Sequence, residues 1–205
     1  MSNIGPKENQ RRLYELAETQ GGYFTANQAE ALGYRANKRN YHVSAGNWVR
    51  EARGIYRLAL FPRPERPDLL MWWLWSRDRS GQPQGVYSHR TALSLYDLTD
   101  LMPAKIDMTV PRPFRRGTPI PRILRLHYDD LHQDEIEKIN GVPVTNALRT
   151  ILDMWQSEEV SRGILRAALK EGIRLGKIRS KQIQAASKSR KWGKLMTEIT
   201  EGSAV

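Results

Sequence analysis

Glycine punctuates the first sixty residues so closely that neither a long helix nor a long strand fits between the breaks. Gly21-Gly22, Gly33, Gly46 and Gly54 cut the segment into short pieces, each with its own periodicity. Lys7 to Gln20 sets Leu13, Leu16 and Ala17 on one stripe at helical spacing, and the glycine pair ends that helix. Thr25 is placed to cap a second helix that runs to Leu32 and stops at Gly33. A third spans Ala36 to Ala45 and stops at Gly46. Trp48-Val49 and Ile55-Tyr56-Arg57-Leu58 are strand-like, with a turn at Arg53-Gly54 between them. Three helices followed by a hairpin is the order of a winged helix-turn-helix, whose third helix enters the major groove.

The charge agrees with that order. The 205 residues hold 33 Lys+Arg against 22 Asp+Glu, a formal net charge of +11. The resulting pI of about 10.1 favours polyanionic partners, with nucleic acid first and an anionic membrane surface second. From Gly33 to Arg57 the basic residues are Arg35, Lys38, Arg39, Arg50, Arg53 and Arg57, and Glu51 alone opposes them. Arg35, Lys38 and Arg39 stand three and four positions apart and share a helical face. Asn37 and Asn40 lie beside that face, and asparagine can read an adenine edge. Arg53 sits at the wing tip, within reach of phosphate or the minor groove. The expected contacts to double-stranded DNA are therefore Arg35, Asn37, Lys38, Arg39, Arg50, Arg53 and Arg57. Tyr41 and Val43 are expected in the core or at a hinge, and His42 in a structural place. A solvated basic face, or a winged domain that docks protein, are the competing readings. Charge, element order and wing chemistry together favour DNA.

Phe61 to Pro67 (FPRPERP) carries three prolines, which remove backbone donors and rule out a regular element. The domain edge is expected there, dividing the chain into 1–62 and 63–205. The second region mixes element types without a βα alternation. Helices are expected at Asp68–Arg77 and His89–Tyr96, and strands at Gly85–Ser88, Lys105–Val110 and Ile123–Tyr128. Pro143 limits Val142-Pro143-Val144 to a short edge strand. Thr145 is expected to cap a helix over Asn146–Trp155, followed by helices at Glu159–Glu171 and Ser180–Ser189 and a frayed end at Glu201–Val205. The fold class is α+β: an N-terminal winged helix-turn-helix, then a mixed domain ending in helices. Those last helices are strongly basic. From Lys170 to Lys194 the acid Glu171 stands alone among Lys170, Arg174, Lys177, Arg179, Lys181 and further cations. They offer a phosphate-contacting surface, a dock for an acidic partner, or a solvated face.

Much chemistry is excluded. With no cysteine, thiol nucleophiles, disulfides and cysteine-bound metals are out. Leu69 to Trp75, the most apolar run, is far short of a membrane span. MSNIGPKENQRR has no apolar core of a signal peptide, so the chain is expected in the cytoplasm. No phosphate-cradling glycine motif is present. His127 and His132 beside Asp129, Asp130 and Asp134 fit a solvated, helix-capping loop better than a metal site. Ser88 and His89, as neighbours on a strand, would face opposite ways and form no nucleophile–base pair. The protein is expected to be no enzyme, with no cofactor and no metal.

GGYFTANQAEALGY and YHVSAGNWVREARGIYRLALFP resemble the N-terminal domain of AbiEi-like antitoxins, the DNA-binding halves of type IV toxin–antitoxin systems. Gly46-Asn47-Trp48 through Arg53-Gly54-Ile55-Tyr56-Arg57 is the most specific part. Ser88–Leu93, Ile106–Pro111, Gly141–Thr145 and Arg149–Asp153 resemble that family's second domain, and the likeness spans roughly residues 10 to 175. The Val-Thr…Arg-Thr-Ile-Leu-Asp string also resembles a segment preceding endonuclease-like domains, but the later carboxylates lie in helical or terminal context and build no strand-borne Mg²⁺ pair. The antitoxin resemblance implies a winged domain that binds inverted repeats in its own promoter and represses it. It implies a second domain that counters a cognate nucleotidyltransferase-like toxin, and places the recognition-helix and wing roles on Arg35, Lys38, Arg39, Arg50, Arg53 and Arg57. The alternative is a stand-alone winged-helix regulator or protein-interaction module without a toxin partner.

Overall fold

The computed structural model describes residues 5–201. Among these, residues up to Gln84, with Asn140–Val142, form one compact unit; Gly85–Ile139 and the described residues from Pro143 form a second.

The first unit runs α1 (Pro6–Glu18), β1 (Tyr23–Thr25), α2 (Ala26–Ala31), α3 (Ala36–Ser44), β2 (Trp48–Ala52), β3 (Ile55–Leu58) and α4 (Pro67–Trp75). The three strands form an antiparallel sheet in the order β1-β3-β2. Thr25 caps α2 as expected. Its Oγ1 accepts from the Gln28 N–H at 3.2 Å while Gln28 Oε1 accepts from the Thr25 N–H at 2.8 Å, a reciprocal capping box. The apolar faces of these short elements meet in a core of Leu13, Ala17, Phe24, Ala29, Tyr34, Trp48 and Tyr56. Aromatic rings dominate it, with Phe24 edge-on to Trp48 at 4.8 Å. β1 leaves no mark in the sequence pattern, because three residues are too few to show a period of two. Gly22 precedes it at φ +88°, where a Cβ would fall 2.6 Å from the Phe61 ring. The boundary between the units comes after Gln84 rather than within 61–67, because α4 packs on β1 and β3 and buries Leu69, Leu70, Leu74 and Trp75.

The second unit carries β4 (Val86–Tyr87), α5 (His89–Leu95), β5 (Ile106–Val110), β6 (Leu124–Tyr128), a 3-10 turn at Gln133–Glu135, β7 (Ile136–Ile139), β8 (Val142–Thr145), α6 (Ala147–Ser157), α7 (Arg162–Arg174), α8 (Ser180–Lys188) and α9 (Gly193–Glu201). The sheet order is β6-β5-β4-β8-β7. β5 is parallel to β6 and antiparallel to β4, and β4 is parallel to β8. The whole is α+β, as the sequence indicates. β8 is an inner strand and not the edge expected from Pro143. It meets the two-residue β4 at one register pair, Tyr87 with Val144, so the missing proline N–H falls outside that pairing. The α6 cap is Asn146, whose Oδ1 accepts from the Arg149 N–H at 2.8 Å, and not Thr145, whose hydroxyl meets that of Thr150 at 2.7 Å. α9 is an addition to the expected elements. Its last residue is Glu201, and the rest of the end expected to fray lies outside the described residues. Among the described residues no helix is long and apolar enough to cross a membrane.

Candidate nucleic-acid interface

α3 buries no residue at all. Arg39, His42 and Val43 turn partly inward, and Val43 packs against the aromatic core. One helical turn is 3.6 residues, so the opposite stripe is Asn37, Asn40, Tyr41 and Ser44, all exposed, with exposed Lys38 on its flank. Tyr41, expected in the core or at a hinge, is 66% exposed. Aligning the face on charge, as spacing alone suggests, rotates this helix by nearly half a turn. A helix that buries nothing has no apolar stripe to orient it, so charge is the only guide the sequence offers.

Two expected contacts are tied down. The Arg39 guanidinium donates to the Tyr34 carbonyl at 2.9 Å and to Glu30 at 3.3 Å, and its side chain is 13% exposed. It braces α3 against the end of α2. Arg57 lies on the central strand, donates from Nε to Glu51 at 2.8 Å, and is 11% exposed. Arg35, Lys38, Arg50 and Arg53 are exposed and form no ion pair among the described residues. Asn37 Oδ1 accepts from the Lys38 N–H at 2.9 Å, leaving its amide NH₂ outward at the first turn of α3.

The hairpin is short. Arg53 and Gly54 make the turn, with Gly54 at φ +73° and a bulge between Arg50 and Ala52. The Gly54 carbonyl accepts from the Ala26 N–H at 2.9 Å, so the turn is held beside the start of α2. His42 stacks on Trp48 at 4.6 Å with the planes 15° apart. Burial and the Lys38 charge hold its imidazole below the usual histidine range, so it stays neutral and structural. Beside α3 a groove of about 910 Å³ runs between Tyr14, Tyr41, Leu58, Leu60 and Phe61.

The second unit holds two polar clusters that spacing does not reveal. In the first, Asp107 is buried on β5, and His127 Nε2 lies 2.8 Å from its Oδ1. The His127 ring stacks on His89 at 3.5 Å, and His89 Nδ1 sits 3.0 Å from Ser88 Oγ. Ser88 and His89 therefore do meet, contrary to the expectation from strand geometry. His89 takes φ +51°, a left-handed conformation that turns its ring back toward Ser88. Burial, then the neighbouring His127, Arg149 and Arg125, pushes His89 down to about 3. Ser88 is fully buried, and its Oγ also accepts from the Thr109 hydroxyl at 2.8 Å. His132 donates its N–H to Glu135 and caps the 3-10 turn. Among the described residues no group of three His, Asp or Glu could hold a metal.

The second cluster is centred on Arg149, which is 4% exposed. Its guanidinium donates to Asp129 at 2.7 Å, Glu135 at 2.7 Å and Asp153 at 2.8 Å, and faces the Trp192 ring at 4.9 Å. Burial works against the Asp129 carboxylate, but Lys191, Arg149 and Arg112 hold it well below the usual range. Asp153 goes the other way. Burial outweighs its Arg149 pair and pushes it up to about 6, and its Oδ2 has no hydrogen-bond partner among the described residues.

Residues 11–59 match the family model described as a transcriptional regulator, AbiEi antitoxin. The match covers most of α1, all of α2 and α3, and the hairpin; the resembling segments of the second unit lie outside it. No curated protein matches the chain. Over residues 11–59, then, this chain is similar to the AbiEi antitoxin family of transcriptional regulators.

Proposed function

We propose that the first unit binds double-stranded DNA in the chain's own promoter through the outward stripe of α3 and represses its operon. The observation that carries this reading is a helix with nothing buried, presenting Asn37, Asn40, Tyr41 and Ser44 in one row. Asparagine amides can pair with adenine N6 and N7, and a tyrosine ring can lie against a thymine methyl. Lys38, Arg35, Arg50 and Arg53 contribute contacts to phosphate, which position the helix without reading sequence. Arg39 and Arg57 act indirectly, as braces of α3 and of the sheet. The protein works by binding and not by catalysis. The family match further supports an antitoxin role, in which the second unit counters a nucleotidyltransferase-like toxin.

The test is an electrophoretic mobility shift of the upstream region with unrelated DNA as competitor. A specific shift, lost in Asn37→Ala/Tyr41→Ala, is the expected result; equal competition by unrelated DNA overturns promoter recognition. Rescue of growth on co-expression with the neighbouring gene's product tests the antitoxin part. A second reading, a protein-docking winged domain, draws on the groove beside α3, where Leu60 is 99% exposed. It gains if Leu60→Asp abolishes partner capture while the shift is intact.

A further inference from the structure

The first unit closes its aromatic core but leaves one apolar hollow open to solvent. Among its described residues the large apolar or aromatic side chains in solvent are Tyr14, Tyr41, Val49 and Leu60. All but Val49 line the groove of about 910 Å³ beside α3. Exposed apolar groups gathered in one hollow, rather than scattered singly, mark a binding place. Every lining residue comes from the first unit. Two aromatic groups form much of the lining. Tyr14 lies 6.0 Å from the Phe61 ring, and Tyr41 stands edge-on to His42, which stacks on Trp48.

The polar groups of the groove suit an anion. Its lining includes no Asp or Glu. It includes Lys7 and Lys38, both exposed and neither in an ion pair among the described residues. The Asn47 amide NH₂ lies 3.3 Å from His42 Nδ1, so that nitrogen accepts and the neutral ring keeps its proton on Nε2. Nε2 is then a donor with no protein partner among the described residues. Two ammonium groups and an imidazole N–H beside aromatic faces match a flat ring that carries a carboxylate. The size agrees, because small-molecule sites enclose roughly 300–1,000 Å³ and are mostly apolar with a few placed polar groups.

We propose that this groove binds a small aromatic carboxylate, and that the bound molecule takes α3 off DNA. The second half rests on the proposed role of α3. Lys38 and Tyr41 line the groove and are also exposed on the outward side of α3, so the carboxylate and the duplex compete for them. Coupling of this kind is reciprocal: DNA must weaken the carboxylate by the factor by which the carboxylate weakens DNA.

The test titrates the full chain with naphthoate by isothermal calorimetry, with naphthalenemethanol and naphthylmethylamine as the neutral and cationic counterparts. We expect saturable binding of naphthoate, with the alcohol weaker by roughly fivefold, the worth of an exposed ion pair, and the amine weaker again. Lys7→Gln and Leu60→Ser, both at exposed positions off α3, should each weaken naphthoate several-fold and leave the mobility shift of the unliganded chain as it is. Equal affinity for the three probes, no saturable naphthoate binding, or naphthoate bound as tightly by both variants as by the parent would overturn the site. So would a concentration-dependent dimer in sedimentation velocity that Leu60→Ser abolishes, since a second copy would then fill the groove. Fluorescence anisotropy of the upstream duplex, at fixed ionic strength, reads the coupling. Naphthoate should raise the apparent Kd for DNA in the parent, and in Leu60→Ser only at several-fold higher concentration. Naphthoate bound with DNA affinity unchanged overturns the release of DNA and leaves the site. Failure of the unliganded chain to shift its upstream region specifically counts instead against the reading of α3, and the calorimetry with the three probes still decides the site.

Discussion

The two units make opposite use of their interiors. The first buries a cluster of aromatic and aliphatic side chains and turns the polar side chains of α3 outward. The second buries charge: Asp107, Arg149 and Asp153 are each less than a tenth exposed, with His89 and His127 packed beside them. An apolar core tolerates exchanges of similar volume. A buried charge network is stable only while every member has its partner. The first unit is therefore free to vary its surface, whereas the second gives up that freedom within.

The largest effect should come from Arg149. Arg149→Met leaves Asp129, Glu135 and Asp153 without their shared cation in a partly desolvated place, and should cost about 3–5 kcal/mol. Urea unfolding followed by tryptophan fluorescence measures it. A cost under about 1 kcal/mol, the range of an exposed ion pair, would mean that the network is hydrated and that the contrast between the interiors is false.

Acid should separate the units next. The His89 imidazole is lowered to about 3 in the folded state, so the unfolded chain takes up its proton first as pH falls. Stability from neutral His89 is full above its ordinary value of about 6.5 and is lost as pH falls toward 3, an effect on the order of a few kcal/mol. Asp153 has the opposite sign. Raised to about 6, it holds a proton when folded that the unfolded chain releases, so its contribution is present below about 4 and is lost as pH rises through 6. Over pH 4–6 the two oppose one another, with His89 the larger. His89→Gln should flatten the dependence of the unfolding midpoint on pH or reverse it. An unchanged profile would refute the burial of a neutral His89.

The units also differ in how much of them the sequence discloses. Gly21-Gly22, Gly33 and Gly46, with the Thr25 cap, mark the helix ends of the first unit because helix stops are local chemistry. The rotation of α3 is not local. It depends on where the Tyr34 carbonyl lies, and that carbonyl captures Arg39 only once α2 has been placed. Charge spacing therefore puts Arg39 on the outward face of α3 and leaves Tyr41 off it. In the second unit, strands β5 and β6 are legible from alternation, but the side chains that meet across them, Asp107 with His127, are 20 positions apart. Their pairing follows from the register of Thr109 beside His127, which no local pattern encodes. Ideal strand geometry forbids the Ser88–His89 contact, which exists because His89 leaves that geometry, at φ +51°.

Arg39 gives a smaller effect with a clear sign. A guanidinium donating to a buried carbonyl contributes about 1.5–3 kcal/mol, reduced here because the Glu30 partner is solvated. Arg39→Ala should lower stability by about 1–2 kcal/mol. It should weaken binding to all duplexes alike, since α3 loses its brace and no base contact is removed. Loss of discrimination at one base pair, with stability intact, would return Arg39 to the reading face.

Tyr41 should do least to the fold. Its side chain is mostly in solvent, so Tyr41→Ala should change stability by no more than about 0.5 kcal/mol. Its loss should still weaken binding to the upstream duplex by about 1–3 kcal/mol while leaving the salt slope unchanged. That combination is the signature of a residue held outward for a partner. The reverse combination, a destabilised fold with unchanged DNA affinity, would assign Tyr41 to the groove with Tyr14 and Leu60. The recognition face would then shrink to Asn37, Asn40 and Ser44, three short polar side chains that read by hydrogen bonds alone.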